Sequence, residues 1–425
     1  MKLNNDSRVI LVSSVGAVLE FYDFIVYLLL SPIIAELFFH DTKYALLATY
    51  AIFAIGYFFR PVGGIILAHF GDKFGRKSAF LFTIFLMTFS TFFMASLPTS
   101  GLLWGTAPIL LLIFRICQGL AVGGEIPGSI TFAFEHLPKE KRFTGCALIF
   151  TGTSSGILLA TVIVALFTNF LSHSEMLVWG WRPPFFLGAI IGALGIYIRY
   201  SLSDTPAFLE MEKKGKLLKT PVVTLFKKHK AEIILCFFLM LGSGALYSTI
   251  CLLLSTILHT EFSYSLPLSY NLSIYLLIVF IIFTLLGPWL IGKLKKARIL
   301  TVVFAAVILA AYAIPAFYTF KTHSLSLIIF TMTVLAITYG IICGTSAFIM
   351  ASCFPPEVRF SGISVSYNTA LAVGGGLTPI TITVLMQHLN SLYAIPCFII
   401  SASVLCIISL LVLVIRNKHG KSHYM

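Results

Sequence analysis

Five charged residues fall inside long apolar runs of this sequence: Glu20, Asp23, Arg60, Arg115 and Glu125. A charge at the centre of a lipid bilayer costs from about 2.5 to more than 10 kcal/mol, so such residues pair with one another or line water. Glu20 and Asp23 are three apart, which puts both on one face of a helix. Two carboxylates that close resist double ionisation, and a site that takes up and releases a proton needs that property. Asp23 lies deeper along its run and is the better carrier of the two. The same residues also fit structural ion pairs with Arg60 or Arg115. Arg115 keeps its charge, and its planar fork suits a carboxylate on a ligand or on an acidic neighbour. Gln118, one turn along, can bond the same ligand or join two helices. Glu125 lies two turns beyond Gln118 among Gly119, Gly123, Gly124 and Gly128, whose small surface admits a close helix neighbour. Pairing or gating suits Glu125 better than carrying the proton. Arg60, just before Pro61, can equally snorkel. Tyr22, Tyr27, Trp181, Tyr247, Tyr339 and Tyr367 offer ring faces for a cationic ligand. Asn368, beside Tyr367, is a mid-helix amide that needs a partner. The candidate proton residues are Asp23, Glu20 and Glu125. The candidate ligand residues are Arg115, Gln118, Tyr27, Tyr367 and Asn368.

The elements that carry these residues are apolar helices. Hydrophobic residues make up 58% of the 425 and charged residues 11%. The mean hydropathy is +0.98, and a soluble domain has about twice that charged share. A membrane helix needs about 20 apolar residues. Qualifying segments are 9–38, 45–70, 78–97, 106–136, 143–170, 183–202, 231–258, 267–292, 299–319, 324–353, 360–388 and 392–415. The longest polar break, 203–230, divides them into six and six. The expected organisation is an N-terminal bundle over 1–202, a linker over 203–230 and a C-terminal bundle over 231–425. The start, with Lys2 and Arg8, resembles a signal peptide. The run that follows holds Glu20 and Asp23 and no small-residue cleavage site, so it reads as a retained helix.

Charge gives the orientation. If the chain starts inside, the inner segments hold Lys2 and Arg8; Lys73, Arg76 and Lys77; Lys139, Lys141 and Arg142; Arg199; seven lysines from Lys213 to Lys230, Lys216 among them; Lys293, Lys295, Lys296 and Arg298; Arg359; and Arg416, Lys418 and Lys421. The outer segments hold Lys43, Arg182 and Lys321. That asymmetry follows the positive-inside rule and places both termini in the cytoplasm. The net charge of +13 is thus spread over alternate short loops. Such a distribution suits anionic lipid headgroups and excludes a nucleic-acid face. The eight cysteines form no CxxC pair and no ligand spacing with histidine, so neither disulfide nor metal site is expected. No Ser/His pair or phosphate loop appears, which argues against an enzyme, and no cofactor is implied. The longest polar segment is too short for a signalling domain, which weakens the reading as a non-transporting sensor.

The loop after the second segment reads Gly71-Asp72-Lys73-Phe74-Gly75-Arg76-Lys77. Its glycines permit a tight turn, and Asp72 can meet Arg76 or the N-terminus of a neighbouring helix. The string resembles the signature loop of the major facilitator superfamily. Further motifs run in order along the chain: Glu20-Phe21-Tyr22-Asp23-Phe24, Arg60-Pro61-Val62-Gly63-Gly64, Arg115-Ile116-Cys117-Gln118-Gly119, Val122-Gly123-Gly124-Glu125, Trp179-Gly180-Trp181-Arg182-Pro183-Pro184, Thr205-Pro206-Ala207-Phe208, Phe354-Pro355-Pro356-Glu357-Val358-Arg359, and Ser366-Tyr367-Asn368 with Gly374-Gly375-Gly376. Together they resemble the metabolite:proton symporter family, which includes proline/betaine, α-ketoglutarate, citrate and shikimate transporters. The resemblance implies an all-α membrane protein of twelve helices in two six-helix bundles, in the cell inner (cytoplasmic) membrane. It further implies a monomeric, proton-coupled symporter of a small carboxylate-bearing solute, working by alternating access. Efflux antiport of drugs or metabolites is the alternative on the same fold. The resemblance also implies a cytoplasmic gate of Gly71, Asp72, Gly75, Arg76, Lys77, Glu135 and Arg142, in which Glu135 pairs with Arg76. The corresponding second-half loop, Gly287 to Lys296, lacks the aspartate. The segment 143–170 has no acidic residue near Ile149, and the tail after Arg416 is short; both depart from the osmoprotectant branch.

Overall fold

The computed structural model describes residues 5–39, 45–99, 104–200, 204–215, 218–294, 298–388 and 391–418. Lys2, Lys43, Lys216, Lys295, Lys296, Lys421 and the side chains of Arg8 and Lys418 lie outside the described residues. Over the described residues the chain is mostly helical. Its elements are α1 Asn5–Leu29, α2 Ser31–Phe39, α3 Ala45–Phe74, α4 Arg76–Ala95, α5 Ala107–His136, α6 Lys139–Phe170, the single turn α7 His173–Glu175, α8 Arg182–Tyr200, α9 Pro206–Lys213, α10 Pro221–Lys228, α11 Lys230–Tyr247, α12 Leu254–Phe262, α13 Leu266–Gly292, α14 Arg298–Lys321, α15 Leu325–Cys353, α16 Arg359–Gly374, α17 Thr378–His388 and α18 Ser391–Lys418.

Among the described residues ten helices are long and apolar enough to cross a membrane, and eleven if the bent pair α1–α2 counts as one. The predicted helix over 9–38 bends by 61° after Leu29. Pro32, second in α2, has no N–H to continue the ladder, and its fixed φ suits the first turn of a new helix. The predicted helix over 360–388 breaks at Gly374-Gly375-Gly376, the most permissive backbone in the chain. Its halves, 16 and 11 residues, each fall short of the roughly 20 that a span needs. The predicted helix over 231–258 leaves α-geometry in a π-turn at Ser248–Leu252. The linker over 203–230 holds two short helices, α9 and α10.

The chain forms two compact units. The first is Met1–His136, Gly152–Val223 and Pro356–Ser364; the second is Leu137–Thr151, Thr224–Pro355 and Val365–Met425. The linker thus contains the main crossing, and two short segments are exchanged. The 32 residues of α6 rise about 48 Å at 1.5 Å each, well beyond a hydrocarbon layer of about 30 Å. Its first turns therefore have length to spare, and they group with the second unit.

Each unit has a glycine seam. In the first, a Cβ added to Gly119 would overlap the Gly56 backbone, and one on Gly123 would overlap Arg60 and Gly64, so α3 and α5 meet backbone to backbone. In the second, a Cβ on Gly344 would lie 3.0 Å from the Thr284 carbonyl carbon and 2.8 Å from Pro288 Cγ, and one on Gly340 would lie 3.1 Å from Phe283. The pairs Gly119/Gly123 and Gly340/Gly344 share a four-residue spacing that brings membrane helices into close contact. The two units therefore repeat one packing device.

Candidate functional site

In the first unit, α1, α3, α4 and α5 converge on Arg115, which is 1% exposed. Three rings from α1 and α3 surround its guanidinium carbon: Tyr27 at 3.9 Å, Phe24 at 5.2 Å and Phe53 at 5.3 Å. Tyr27 is fixed in turn by donating to the Thr49 carbonyl at 3.2 Å. Arg115 Nη1 donates to Gln118 Oε1 at 2.8 Å, and Gln118 Nε2 donates to Thr91 Oγ1 at 2.8 Å. Thr91 Oγ1 donates to Asp23 Oδ2 at 2.6 Å. A hydrogen-bonded chain thus links the guanidinium to the carboxylate through one amide and one hydroxyl. Both ends of the chain are open. Among the described residues, Arg115 Nε and Nη2 and Asp23 Oδ1 are buried and have no hydrogen-bond partner. Nε and Nη2 lie side by side on one edge of the guanidinium plane, the edge that takes a carboxylate with two parallel bonds. Gly188 of α8 leaves room for the Asp23 carboxylate, because a Cβ there would overlap Oδ1. Thr91 carries no charge in an apolar run, so only its place in the fold reveals it.

Glu20 and Asp23 share a face of α1 but do not form a close carboxylate pair. Arg60 Nη2 of α3 donates to Glu20 Oε1 at 2.5 Å, whereas Asp23 turns to Thr91 of α4. Each acid found its own complementary group, which costs less than crowding two negative charges. Arg60 does not snorkel: it is buried with Glu20 and faces Tyr57 at 5.1 Å. Glu125 is held by Arg199 of α8, whose Nη1 donates to Oε2 at 3.0 Å and whose Nη2 bonds Oε1. Thr83 Oγ1 adds a bond to Oε2 at 2.7 Å. Gly16 of α1 leaves the space this pair occupies. Its place at the end of an apolar run counts Arg199 among the inner segments. It is instead a buried member of α8, 1% exposed.

The turn between α3 and α4 builds a second cluster. Gly75 has φ of +111°, a conformation that favours glycine, and a Cβ there would also meet Asp204. Asp72 pairs with Arg76 Nη2 at 3.0 Å, and its Oδ2 accepts from Ser361 N at 2.9 Å and Ser361 Oγ at 2.6 Å. Asp72 therefore meets both partners its position allowed: an arginine four residues on, and the N-terminal turn of α16. Arg76 also donates to the carbonyls of Gly71 at 2.9 Å and Pro356 at 2.7 Å. Glu135 lies 3.6 Å from Arg76 Nε and accepts from Arg359 Nη1 at 2.8 Å and Thr205 Oγ1 at 2.6 Å. Asp204 accepts from the Lys77 backbone at 3.1 Å. Gly71, Asp72, Gly75, Arg76, Lys77 and Glu135 thus come together in the first unit, joined by Arg359, Ser361, Asp204 and Thr205. Arg142 lies in the segment that groups with the second unit, where its Nε donates to the Leu137 carbonyl at 3.0 Å.

Tyr367 and Asn368 are buried in the second unit, Tyr367 stacked on Phe150 at 6.1 Å. Tyr247, Phe280 and Tyr339 pack there as a trio, and Tyr339 donates to the Ser243 carbonyl at 2.8 Å. Where the first unit has Arg76 on the Gly71 carbonyl, the second has Arg298 Nη2 on the Gly292 carbonyl at 2.7 Å. No group of histidine, cysteine, aspartate and glutamate among the described residues could hold a metal ion.

Residues 14–379 match the family described as Major Facilitator Superfamily. The chain is 30% identical over 416 residues to the inner membrane metabolite transport protein YhjE of Escherichia coli K12, covering 96% of this chain and 94% of that protein. It is 31% identical over 386 residues to the proline/betaine transporter of Salmonella typhimurium LT2, covering 88% and 76%. Among solved structures, the proton:xylose symporter XylE of E. coli gives a TM-score of 0.74 at 16% identity, covering 96% of this chain and 95% of that chain. The human organic anion transporter MFSD10 gives 0.69 at 16% identity, covering 97% and 100%. Those structural likenesses show the fold, and the sequence relatives are transporters and not enzymes. The chain belongs to the Major Facilitator Superfamily and fits the metabolite:proton symporter pattern within it.

Proposed function

We propose that the protein carries a small carboxylate-bearing organic solute across the inner membrane together with a proton, by alternating access. The observation that carries this reading is the Arg115–Gln118–Thr91–Asp23 chain, with an open guanidinium edge at one end and an open carboxylate oxygen at the other. Arg115 receives the solute carboxylate with Gln118 as its orienting neighbour, and Tyr27 holds the guanidinium flat. Asp23 carries the proton. A second negative group arriving beside Asp23 is repelled unless Asp23 is protonated, so proton and solute bind with positive linkage. Glu20, with Oε2 open, is a further acceptor one turn along. Glu125, gripped by Arg199, serves structure. Tyr367 and Asn368 are assigned to the solute as part of the same proposal.

The Asp72–Arg76–Glu135 cluster is the proposed cytoplasmic gate, with Gly71, Gly75, Lys77 and Arg142 shaping it. Loop charge supports cytoplasmic termini, and the bundles over 1–202 and 231–425 are the bodies that alternate. The working form is a monomer in contact with membrane lipid.

Purified protein in liposomes tests the coupling. An outside-acid pH gradient should drive accumulation of a radiolabelled solute such as proline or glycine betaine. Asp23→Asn should abolish gradient-driven accumulation while keeping solute exchange. Gradient-driven uptake unchanged in that variant removes Asp23 from the coupling. Net extrusion under the same gradient favours the efflux reading.

A further inference from the structure

We infer that the transported solute bears one carboxylate and no second anionic group, so the site takes monocarboxylates and rejects di- and tricarboxylates. The inference rests on the carboxylate role of Arg115 proposed above and follows from an inventory of buried charge. Arg115 has one edge to give: Nη1 is occupied by Gln118, and Nε and Nη2 remain. Two adjacent donors match the two oxygens of one carboxylate.

The other buried arginines of the first unit are committed. Arg60 is held by Glu20, Arg199 by both oxygens of Glu125, Arg76 by Asp72 and two backbone carbonyls, and Arg359 by Glu135. Recruiting any of them would strand its acid as an uncompensated buried charge. The second half of the sequence offers none in reserve. It has no lysine or arginine over 231–292, 299–320, 322–358 or 360–415. Among the described residues of the second unit, the buried polar side chains are hydroxyls and Asn368.

The charge balance agrees. Arg115 and Asp23 cancel when both are ionised. One proton on Asp23 leaves a single positive charge, which one carboxylate neutralises. A second carboxylate adds a negative charge away from water that no cation of the protein is free to face, and such a charge is strongly disfavoured. Neutral rings, hydroxyls and alkyl groups on the solute raise no such cost.

Matched solutes test this on the wild-type protein, so no variant has to fold. Competition against labelled uptake would compare proline with pyrrolidine-2,5-dicarboxylate, glycine betaine with N,N-dimethyliminodiacetate, and shikimate with citrate and α-ketoglutarate. At least one monocarboxylate should compete, and adding the second carboxylate to that solute should raise the half-inhibiting concentration by roughly 100-fold or more. A dicarboxylate or tricarboxylate that competes as well as its one-carboxylate counterpart overturns the inference while leaving Arg115 as a carboxylate site. Arg115→Lys separates the two levels, because it keeps the charge and removes the paired donors. Monocarboxylate competition unchanged in that variant, or competition only by solutes without any carboxylate, overturns the reading of Arg115 and the inference with it.

Discussion

The buried pair of Glu125 and Arg199 shows what a single residue does in an apolar setting. Both side chains are almost fully enclosed, and Thr83 adds a third bond. Removing one partner leaves an uncompensated charge. Arg199→Leu should therefore lower stability by about 3–5 kcal/mol, read as a fall in the thermal unfolding midpoint of purified protein. Arg199→Leu combined with Glu125→Leu should recover much of that loss, because no charge is then stranded. A double variant as unstable as the two losses added would mean that packing, and not charge, sets the cost. Gln118→Leu probes the neighbouring chain: it strips a partner from Arg115 Nη1 and from the Thr91 hydroxyl at once. The solute KM should rise about tenfold in transport assays, in line with about 1.5 kcal/mol for a hydrogen bond to a charged group. Glu20, Asp23, Arg60, Arg115 and Glu125 were legible in the sequence because a charge in an apolar run is conspicuous. Their partners were less so. Thr91 carries no charge, and Arg199 sits where an apolar segment ends, so its type and position fit a loop as well as a buried pair.

Helices depend on smaller signals. The close approach of α3 and α5 follows from the spacing of Gly119 and Gly123, which the sequence displays, but the identity of the facing residues required the fold. Gly119→Val should prevent stable folding or cost several kcal/mol, since its Cβ would overlap the Gly56 backbone, which cannot move aside as a side chain can. Gly344→Val should do the same against Thr284 in the second unit. Gly105 is the control: a Cβ there meets nothing within 4 Å, so Gly105→Ala should stay within about 0.5 kcal/mol. Equal midpoints for Gly105→Ala and Gly119→Val would discredit the seam. The bend after Leu29 and the break after Gly374 had their signals too, in Pro32 and the triple glycine. Hydropathy averages over about 20 residues and runs straight across both, so it registers an apolar segment and misses its interruption.

At the scale of the whole chain, the two units share a glycine seam and an arginine that bonds the last carbonyls of a helix, Arg76 at Gly71 and Arg298 at Gly292. They differ in acid. Asp72 adds the N-terminal turn of α16 to the first cluster, and the second-half loop has no aspartate to do so. The missing aspartate was readable in the sequence, but the grouping of Pro356–Ser364 with the first unit was not, because that contact joins residues 289 positions apart. α16 begins in the first unit and continues into the second at Val365. The alternating access proposed above would therefore either break the Asp72–Ser361 bonds or leave them closed throughout. A covalent tie decides between these. Asp72→Cys with Ser361→Cys, placed in a background where the eight native cysteines are replaced by serine or alanine, puts one thiol in place of Ser361 Oγ and the other in place of Asp72 Cγ, one bond short of the Oδ2 that now lies 2.6 Å from that Oγ. Mild oxidation should link them, as peptide mapping would show. Linked protein should lose nearly all transport while still binding solute, and reduction should restore the rate. Transport that persists in fully linked protein would mean that this cluster stays closed through the cycle and acts as a fixed brace, with the moving boundary elsewhere along α16.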